Sequence, residues 1–186
     1  TVRGEKVIET VTQTAHRLLQ DRFVDQISLV ELAKASGVAR ASLLLQFPGG
    51  WPDILVNLAI WEVNLDDAFE KASGAPRLTR DKRVFIALNS LLDRAEESGL
   101  LYPNLRAAMF SWGLEKQSLF RIAFEGCWEN VMDLISEDAR SSGSGSVDLG
   151  YLVEQLLNLT LDLASVEGYM ARTWDERREA LRTAIS

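Results

Sequence analysis

Apolar residues recur at helical spacing from the start of the chain. Val7, Ile8, Val11, Ala15, Leu18 and Leu19 form one stripe, which predicts a first helix ending near Asp21. A second helix opens at Ser28, because Ser28-Leu29-Val30-Glu31 has the spacing of a capping box: the serine hydroxyl accepts from the Glu31 amide and the Glu31 carboxylate reaches back. It runs to about Ser36, where Gly37 is free to take the positive φ that closes a helix. A third short helix is predicted over Ala39 to Gln46. Two short helices about a glycine turn, behind a longer one, make a tri-helical helix-turn-helix unit over residues 1–50.

The remaining residues, 51–186, read as a larger helical bundle. Pro48-Gly49-Gly50-Trp51-Pro52 is a turn, and Pro52 suits the first position of a helix running to about Lys71. Gly74-Ala75-Pro76 interrupts the pattern. A helix capped by Thr79 runs to Ser98 and stops at Gly99, Pro103 begins another, and a long one covers Leu114 to Arg140. Gln117, Arg121, Glu125, Glu129 and Asp133 give that long helix a polar stripe. Ser141 to Ser146 is a Ser/Gly connector between helices.

Residues 147–171 carry two apolar seams side by side. Leu149, Leu152, Leu156, Leu159, Leu163, Val166 and Met170 alternate spacings of three and four, and Val153, Leu157, Leu161 and Ala164 widen the arc. A helix so widely apolar must be covered on two sides. Its own core covers one, and a second copy of the chain is expected on the other, with Leu149, Leu152, Leu156, Leu159, Leu163 and Val166 as the homodimer interface. Thr173-Trp174-Asp175-Glu176 is a further capping box that starts a final helix. No segment reads as a strand, so the fold class is all-α with about nine helices.

Composition narrows the chemistry. Of the 186 residues, 47% are hydrophobic and 25% charged, which is a globular balance and not a disordered one. The formal charge of −7 is unevenly spread. Residues 1–50 hold Arg3, Lys6, Arg17, Arg22, Lys34 and Arg40 against Glu5, Glu9, Asp21, Asp25 and Glu31, so only this part tolerates phosphate nearby. Cys127 is alone and has no intrachain disulfide partner, which suits a reducing cytoplasm. No apolar run reaches the ~18 to 20 residues of a membrane span, and no signal-peptide pattern opens the chain.

The usual catalytic constellations lack their residues. His16 is the only histidine, so metal sites built on several histidines have little material, and neither does a triad that needs a histidine base. Glu62, Asp66, Asp67 and Glu70 read as a solvated face, since no Glu-x-x-His accompanies them as a di-iron bundle requires. There is no phosphate-binding glycine loop, nucleophile elbow or Cys-x-x-Cys. These absences argue against an enzyme, a metal site or a cofactor.

Residues 3–63 resemble the TetR family of transcriptional regulators. Val7-Ile8-Glu9 to Leu19 is similar to its first helix and Ser28-Leu29-Val30-Glu31-Leu32-Ala33 to its second. Gly37-Val38-Ala39-Arg40-Ala41-Ser42-Leu43-Leu44-Leu45-Gln46-Phe47 is similar to its turn and recognition helix. The remainder matches in helix count and order alone. The resemblance implies a ligand-responsive repressor that binds double-stranded DNA as a homodimer, with 51–186 serving ligand binding and dimerisation. It implies DNA contacts from Arg3, Lys6, Ser28, Lys34, Arg40, Ala41, Ser42, Leu44, Leu45 and Gln46. It also places Phe85, Met109, Phe110, Trp112, Phe120, Phe124 and Trp128 around a cavity for a small apolar ligand.

This chain departs from the family pattern at the DNA surface. Ala39 stands where a capping Ser is usual, Leu44 where a Tyr reaches phosphate, and Gln46 where a His is usual. Gly49-Gly50-Trp51-Pro52-Asp53 replaces a stretch that carries a phosphate-binding Lys. Leu43 and Phe47 are the expected core pair of the recognition helix, which leaves Leu44 and Leu45 towards the DNA side. Two readings stay open: a regulator with fewer phosphate anchors, or a helical dimer with a degenerate DNA-binding surface that acts as a small-molecule or protein-interaction module.

Overall fold

The computed structural model describes residues 2–62, 68, 72, 74, 78–111, 129, 131–133, 149–165 and 173–186. Among them are eight α-helices, one 3-10 turn and no strand: α1 (Val2–Leu19), η1 (Val24–Gln26), α2 (Leu29–Ser36), α3 (Arg40–Gln46), α4 (Trp51–Glu62), α5 (Arg80–Glu97), α6 (Leu101–Ser111), α7 (Leu149–Ser165) and α8 (Trp174–Ile185). The class is all-α, as the hydrophobic pattern predicts. The predicted helix over Leu114 to Arg140, with Cys127, falls almost wholly outside the described residues, and so do Asp66, Asp67 and Glu70. The chain divides into two compact units, Thr1–Trp61 with Ser98–Ala123, and Glu62–Glu97 with Phe124–Ser186.

In the first unit α1 packs on α2, α3 and α6. Val11, Ala15 and Leu19 bring one stripe of α1 to a core completed by Ile27, Leu32, Leu43 and Phe47, all buried. Local chemistry sets the helix ends. The Ser28 hydroxyl accepts from the Glu31 amide at 3.1 Å. Gly37, at φ 65, closes α2 by a Schellman motif, with its own N–H on the Lys34 carbonyl and the Val38 N–H on that of Ala33. Two ends differ from expectation. Pro52 lies second in α4 and Pro103 third in α6, both within a first turn, where a missing amide hydrogen costs nothing.

The corner before α6 also ties back to α1. Gly99 has φ 57, and the Leu100 N–H donates to the Gln20 carbonyl at 2.8 Å. An added Cβ at Gly99 would run into that same carbonyl oxygen, so glycine is required twice over.

The second unit is built around α5. Val84, Ala87, Leu88, Leu91, Leu92 and Ala95 bury one stripe of that helix, which packs on α7 and α8. From α7, Leu156, Leu157, Thr160 and Ala164 are buried. The Thr173–Glu176 capping box starts α8 as predicted, with the Glu176 carboxylate accepting from the Thr173 amide at 2.6 Å. Arg177 stacks over Trp174 at 4.3 Å and donates at 2.8 Å to the carbonyl of Leu163 on α7, which ties α8 to α7.

Candidate nucleic-acid interface

The helix-turn-helix is positioned from behind by buried polar side chains that the hydrophobic pattern does not reveal. Asn104 of α6 is 1% exposed. Its amide nitrogen donates to the carbonyls of Arg22 at 3.0 Å and Leu100 at 2.9 Å, and more distantly to that of Leu19 at 3.4 Å. Its amide oxygen accepts from the Val24 N–H at 2.8 Å. One side chain thus satisfies the end of α1 and the connection that leads into α2. The Trp51 indole N–H donates to the Ile27 carbonyl at 2.7 Å and holds the start of α4 to the residue preceding Ser28. Where the family pattern has a phosphate-binding lysine nearby, this chain has a structural clasp.

Arg22 and Glu31 form a bidentate ion pair, with the closer contact at 2.5 Å, and Arg22 also donates to the Gln26 carbonyl. The Arg22 hydrogen bond is the largest influence holding the Glu31 carboxyl below its ordinary value, and the Ser28 amide is a lesser one. The same bond raises Arg22. So Glu31 spends its carboxylate mainly on Arg22 and not on closing the capping box. Arg22 is a cation already engaged.

On α3 the burial pattern separates an inner from an outer face. Leu43 and the adjoining Phe47 are sealed in the core at 0% and 1% exposure. Arg40, Ala41 and Leu45 are exposed, and Ser42, Leu44 and Gln46 are half-buried. Ala39 occupies the N-cap position without a side chain that could cap it. Leu44 is therefore less available than Leu45, although both were expected on the DNA side. Lys6, Ser28 and Lys34 are exposed on α1 and at the two ends of α2. The Ser28 hydroxyl accepts within its own cap and keeps its hydrogen for another partner. Arg3 lies on α1, with its side chain outside the described residues.

The expected ligand site is only partly described. Phe85 is half-buried and stacks beneath Arg182, whose guanidinium carbon lies 4.6 Å from the ring centroid. It lines an open groove of about 490 Å³ with Leu78, Lys82, Ile86 and Ile185. Met109 and Phe110 close α6 with their side chains outside the described residues, as are Trp112, Phe120, Phe124 and Trp128 entirely. His16 is half-buried and meets the Trp61 ring edge-on at 5.4 Å. No group of three or more metal-binding side chains occurs among the described residues, and no described helix is long and apolar enough to cross a membrane.

The seam on α7 separates into two kinds of position. Leu156 is 5% exposed and packs inside its own unit, so it is unavailable to a second copy. Leu159 and Leu163 are half-exposed. The side chains of Leu149 and Leu152, and all of Val166, lie outside the described residues.

No protein-family model and no curated protein matches the chain. Solved structures do match over nearly its whole length. A TetR-family transcriptional regulator of a Rhodococcus species aligns with a TM-score of 0.73 at 13% identity, covering 97% of both chains. FadR of Thermus thermophilus, a TetR-family repressor solved with lauroyl-CoA, aligns with a TM-score of 0.70 at 16% identity, covering 96% of this chain and 92% of its own. AibR, solved with isovaleryl coenzyme A and operator DNA, aligns with a TM-score of 0.63 at 12% identity, covering 95% of this chain and 96% of its own. The chain has the fold of the TetR-family transcriptional regulators.

Proposed function

We propose that a chain with this fold, and with a helix-turn-helix held as described, is a DNA-binding transcriptional regulator of the TetR type: a homodimeric repressor controlled by a small apolar ligand. The observation that carries the proposal is the exposed outer face of α3, displayed beyond the Gly37 turn in a fold shared with a regulator solved on its operator. Two such helices in a dimer would meet half-sites about one helical turn of DNA apart, roughly 34 Å. Leu159 and Leu163 support a dimer seam on α7, extended by Leu149, Leu152 and Val166.

Coenzyme A thioesters with aliphatic acyl groups occur in FadR and AibR, which supports an acyl thioester as the first ligand to test here. The aromatic residues from Phe85 to Trp128 supply the apolar side of that reading. A ligand that binds one arrangement of the dimer better than the DNA-bound one shifts the population and releases the operator. The division into 1–50 for DNA and 51–186 for ligand and dimer is part of the proposal, as is the non-enzymatic reading.

The test is fluorescence anisotropy of the purified chain on duplex DNA from upstream of its coding region, at several salt concentrations. Affinity should fall with salt at a logarithmic slope near 0.9 per phosphate contact. Leu44→Tyr should strengthen binding on all sequences alike, since a phenol there meets phosphate. Arg40→Ala should weaken it by roughly 5- to 150-fold at one base position per half-site, the worth of a bidentate guanine contact of about 1 to 3 kcal/mol. If all three proteins fail to bind any duplex at low salt, the regulator proposal falls and a binding module without DNA takes its place.

A further inference from the structure

The outer face of α3 differs in chemistry from its flanks. Successive residues of an α-helix turn by about 100°. With Leu43 pointing inward, Ala41 and Leu45 fall either side of the opposite pole, each about 160° from Leu43. Arg40 and Leu44 then lie on one flank, and Ser42 and Gln46 on the other. Exposure follows this arrangement: Leu43 is sealed and Leu45 is 77% exposed, the most open of the large hydrophobic residues among those described. The part of α3 that reaches farthest from the core therefore offers no donor and no acceptor.

We propose that Ala41 and Leu45 read thymine by contact with its C5-methyl group, so that each half-site of the operator carries a pair of thymines beneath the centre of α3. This rests on the DNA-binding proposal and specifies the base it reads. The major-groove edges of the four base pairs present donors and acceptors, and the thymine methyl is the one apolar group that projects from them, cytosine having only a C5 hydrogen in its place. An apolar side chain over any other part of those edges would strip water from a polar atom without replacing its bond.

Size and spacing fit the same reading. Ala41 is short enough for the α3 backbone to approach the groove floor, and Leu45 extends one turn further along. Four residues at 1.5 Å rise make about 6 Å, close to two base-pair steps of about 3.4 Å. The thymines should recur about two base pairs apart, on either strand. The flanks favour DNA over a protein partner: Arg40 is a cation, Ser42 a hydroxyl, and α3 contains no acidic residue. One leucine and one alanine are also far too small for the core of a stable protein interface, which buries about 800 Å² per partner.

The experiment selects bound duplexes from a random pool with the full chain, then measures affinity for the selected half-sites by anisotropy. Two thymines about two base pairs apart should be enriched in each half-site. Replacing one with deoxyuridine, which removes the methyl alone, should weaken binding about fourfold, the worth of one buried methyl. In Leu45→Ala, with an unchanged melting temperature, the replacement beneath residue 45 should have no further effect. Intact DNA binding that ignores deoxyuridine overturns the thymine inference and leaves the regulator standing. Failure of both wild type and Leu44→Tyr to enrich any sequence overturns the DNA-binding proposal and this inference with it.

Discussion

The described residues of the two compact units differ in the balance of directional and apolar contacts. In the first, the path from α1 into α2 is fixed by directional buried contacts: Asn104 on Arg22 and Val24, the Leu100 amide on Gln20, and the Trp51 indole on Ile27. In the second, the described core is an apolar ridge of α5 against α7 and α8, with directional bonds at its margin from Arg177 to the Leu163 carbonyl at 2.8 Å and from Arg94 to the Glu62 carbonyl at 2.6 Å, while the buried Thr160 hydroxyl bonds within α7, at 2.7 Å to Leu156. A hydrogen bond is lost when its partners shift by an ångström or tilt, whereas the hydrophobic effect has no preferred direction. Buried directional bonds would hold α3 in the register that the DNA-binding proposal requires.

The largest effect should come from charging the apolar unit. Leu156 is buried, so Leu156→Asp places a carboxylate in the α5–α7–α8 core at a cost above about 4 kcal/mol and should leave little folded protein. Leu159→Asp, at a half-exposed position on the same helix, should leave the fold intact and convert the proposed dimer to monomer. Circular dichroism melting and sedimentation velocity distinguish the two. A Leu156→Asp protein that melts like wild type would remove the distinction between core and seam.

Next comes the directional clasp. Asn104→Leu keeps the number and branching of side-chain heavy atoms but leaves the Val24 N–H and the Arg22 carbonyl without their partner, at about 1 to 3 kcal/mol for each group left buried. A total near 3 kcal/mol should lower the melting temperature by about 6 to 12 °C in a protein of this size. Hydrogen exchange of the Val24 amide should accelerate more than that of α8. Equal acceleration throughout would mean that the clasp merely adds stability and does not position the turn.

What could be read from sequence follows the same division. Ser28, Gly37, Thr173 and Glu176 act within one turn of themselves, and their spacing announces a helix end before any fold is known. Leu43 and Phe47 were legible as core because a three-residue leucine run cannot face one side of a helix. Asn104 was silent, since all its partners but the Leu100 carbonyl lie 80 to 85 residues away and an asparagine in an amphipathic helix has no pattern of its own. Trp51 looked like part of a turn, and only the fold brings its indole to Ile27, 24 residues earlier. Leu156 shows the limit of periodicity: two adjacent seams on one helix identify two covered sides but not which side is one's own.

A smaller effect is expected from the best polar network of the second unit. Arg178 contacts Asp93 at 2.8 Å and Glu96 at 2.5 Å, and those hydrogen bonds raise its pKa, Glu96 contributing more. Both carboxylates are about half exposed, so water and salt screen them, and such pairs are worth about 0.2 to 1 kcal/mol. Arg178→Ala should lower the melting temperature by no more than about 4 °C. Raising salt to about 1 M, where the Debye length is near 3 Å, should shrink even that difference. A loss as large as that of Asn104→Leu would mean that the second unit, too, depends on directional bonds.

The smallest expected effect lies at the surface of the first unit, where Arg22 and Glu31 pair in front of the buried clasp. The Arg22 hydrogen bond holds the Glu31 carboxyl below its ordinary 4.5, against the opposing effect of partial desolvation. A carboxyl depressed in the folded state adds stability that is present above its unfolded value and is lost as pH falls through the depressed one. Any contribution of this pair is therefore complete at neutral pH and disappears only in acid, below about 4.5. Arg22→Gln removes the charge and most of the pairing, so the Glu31 midpoint followed by NMR should rise towards 4.5, while the melting temperature at pH 7 changes little. The connection from α1 into α2 should keep its place, because Asn104 and Trp51 hold Arg22, Val24 and Ile27 independently of this pair. If Glu31 titrates identically in both proteins, the ion pair does not persist in solution, and Glu31 is left to serve the Ser28 amide as the sequence alone predicts.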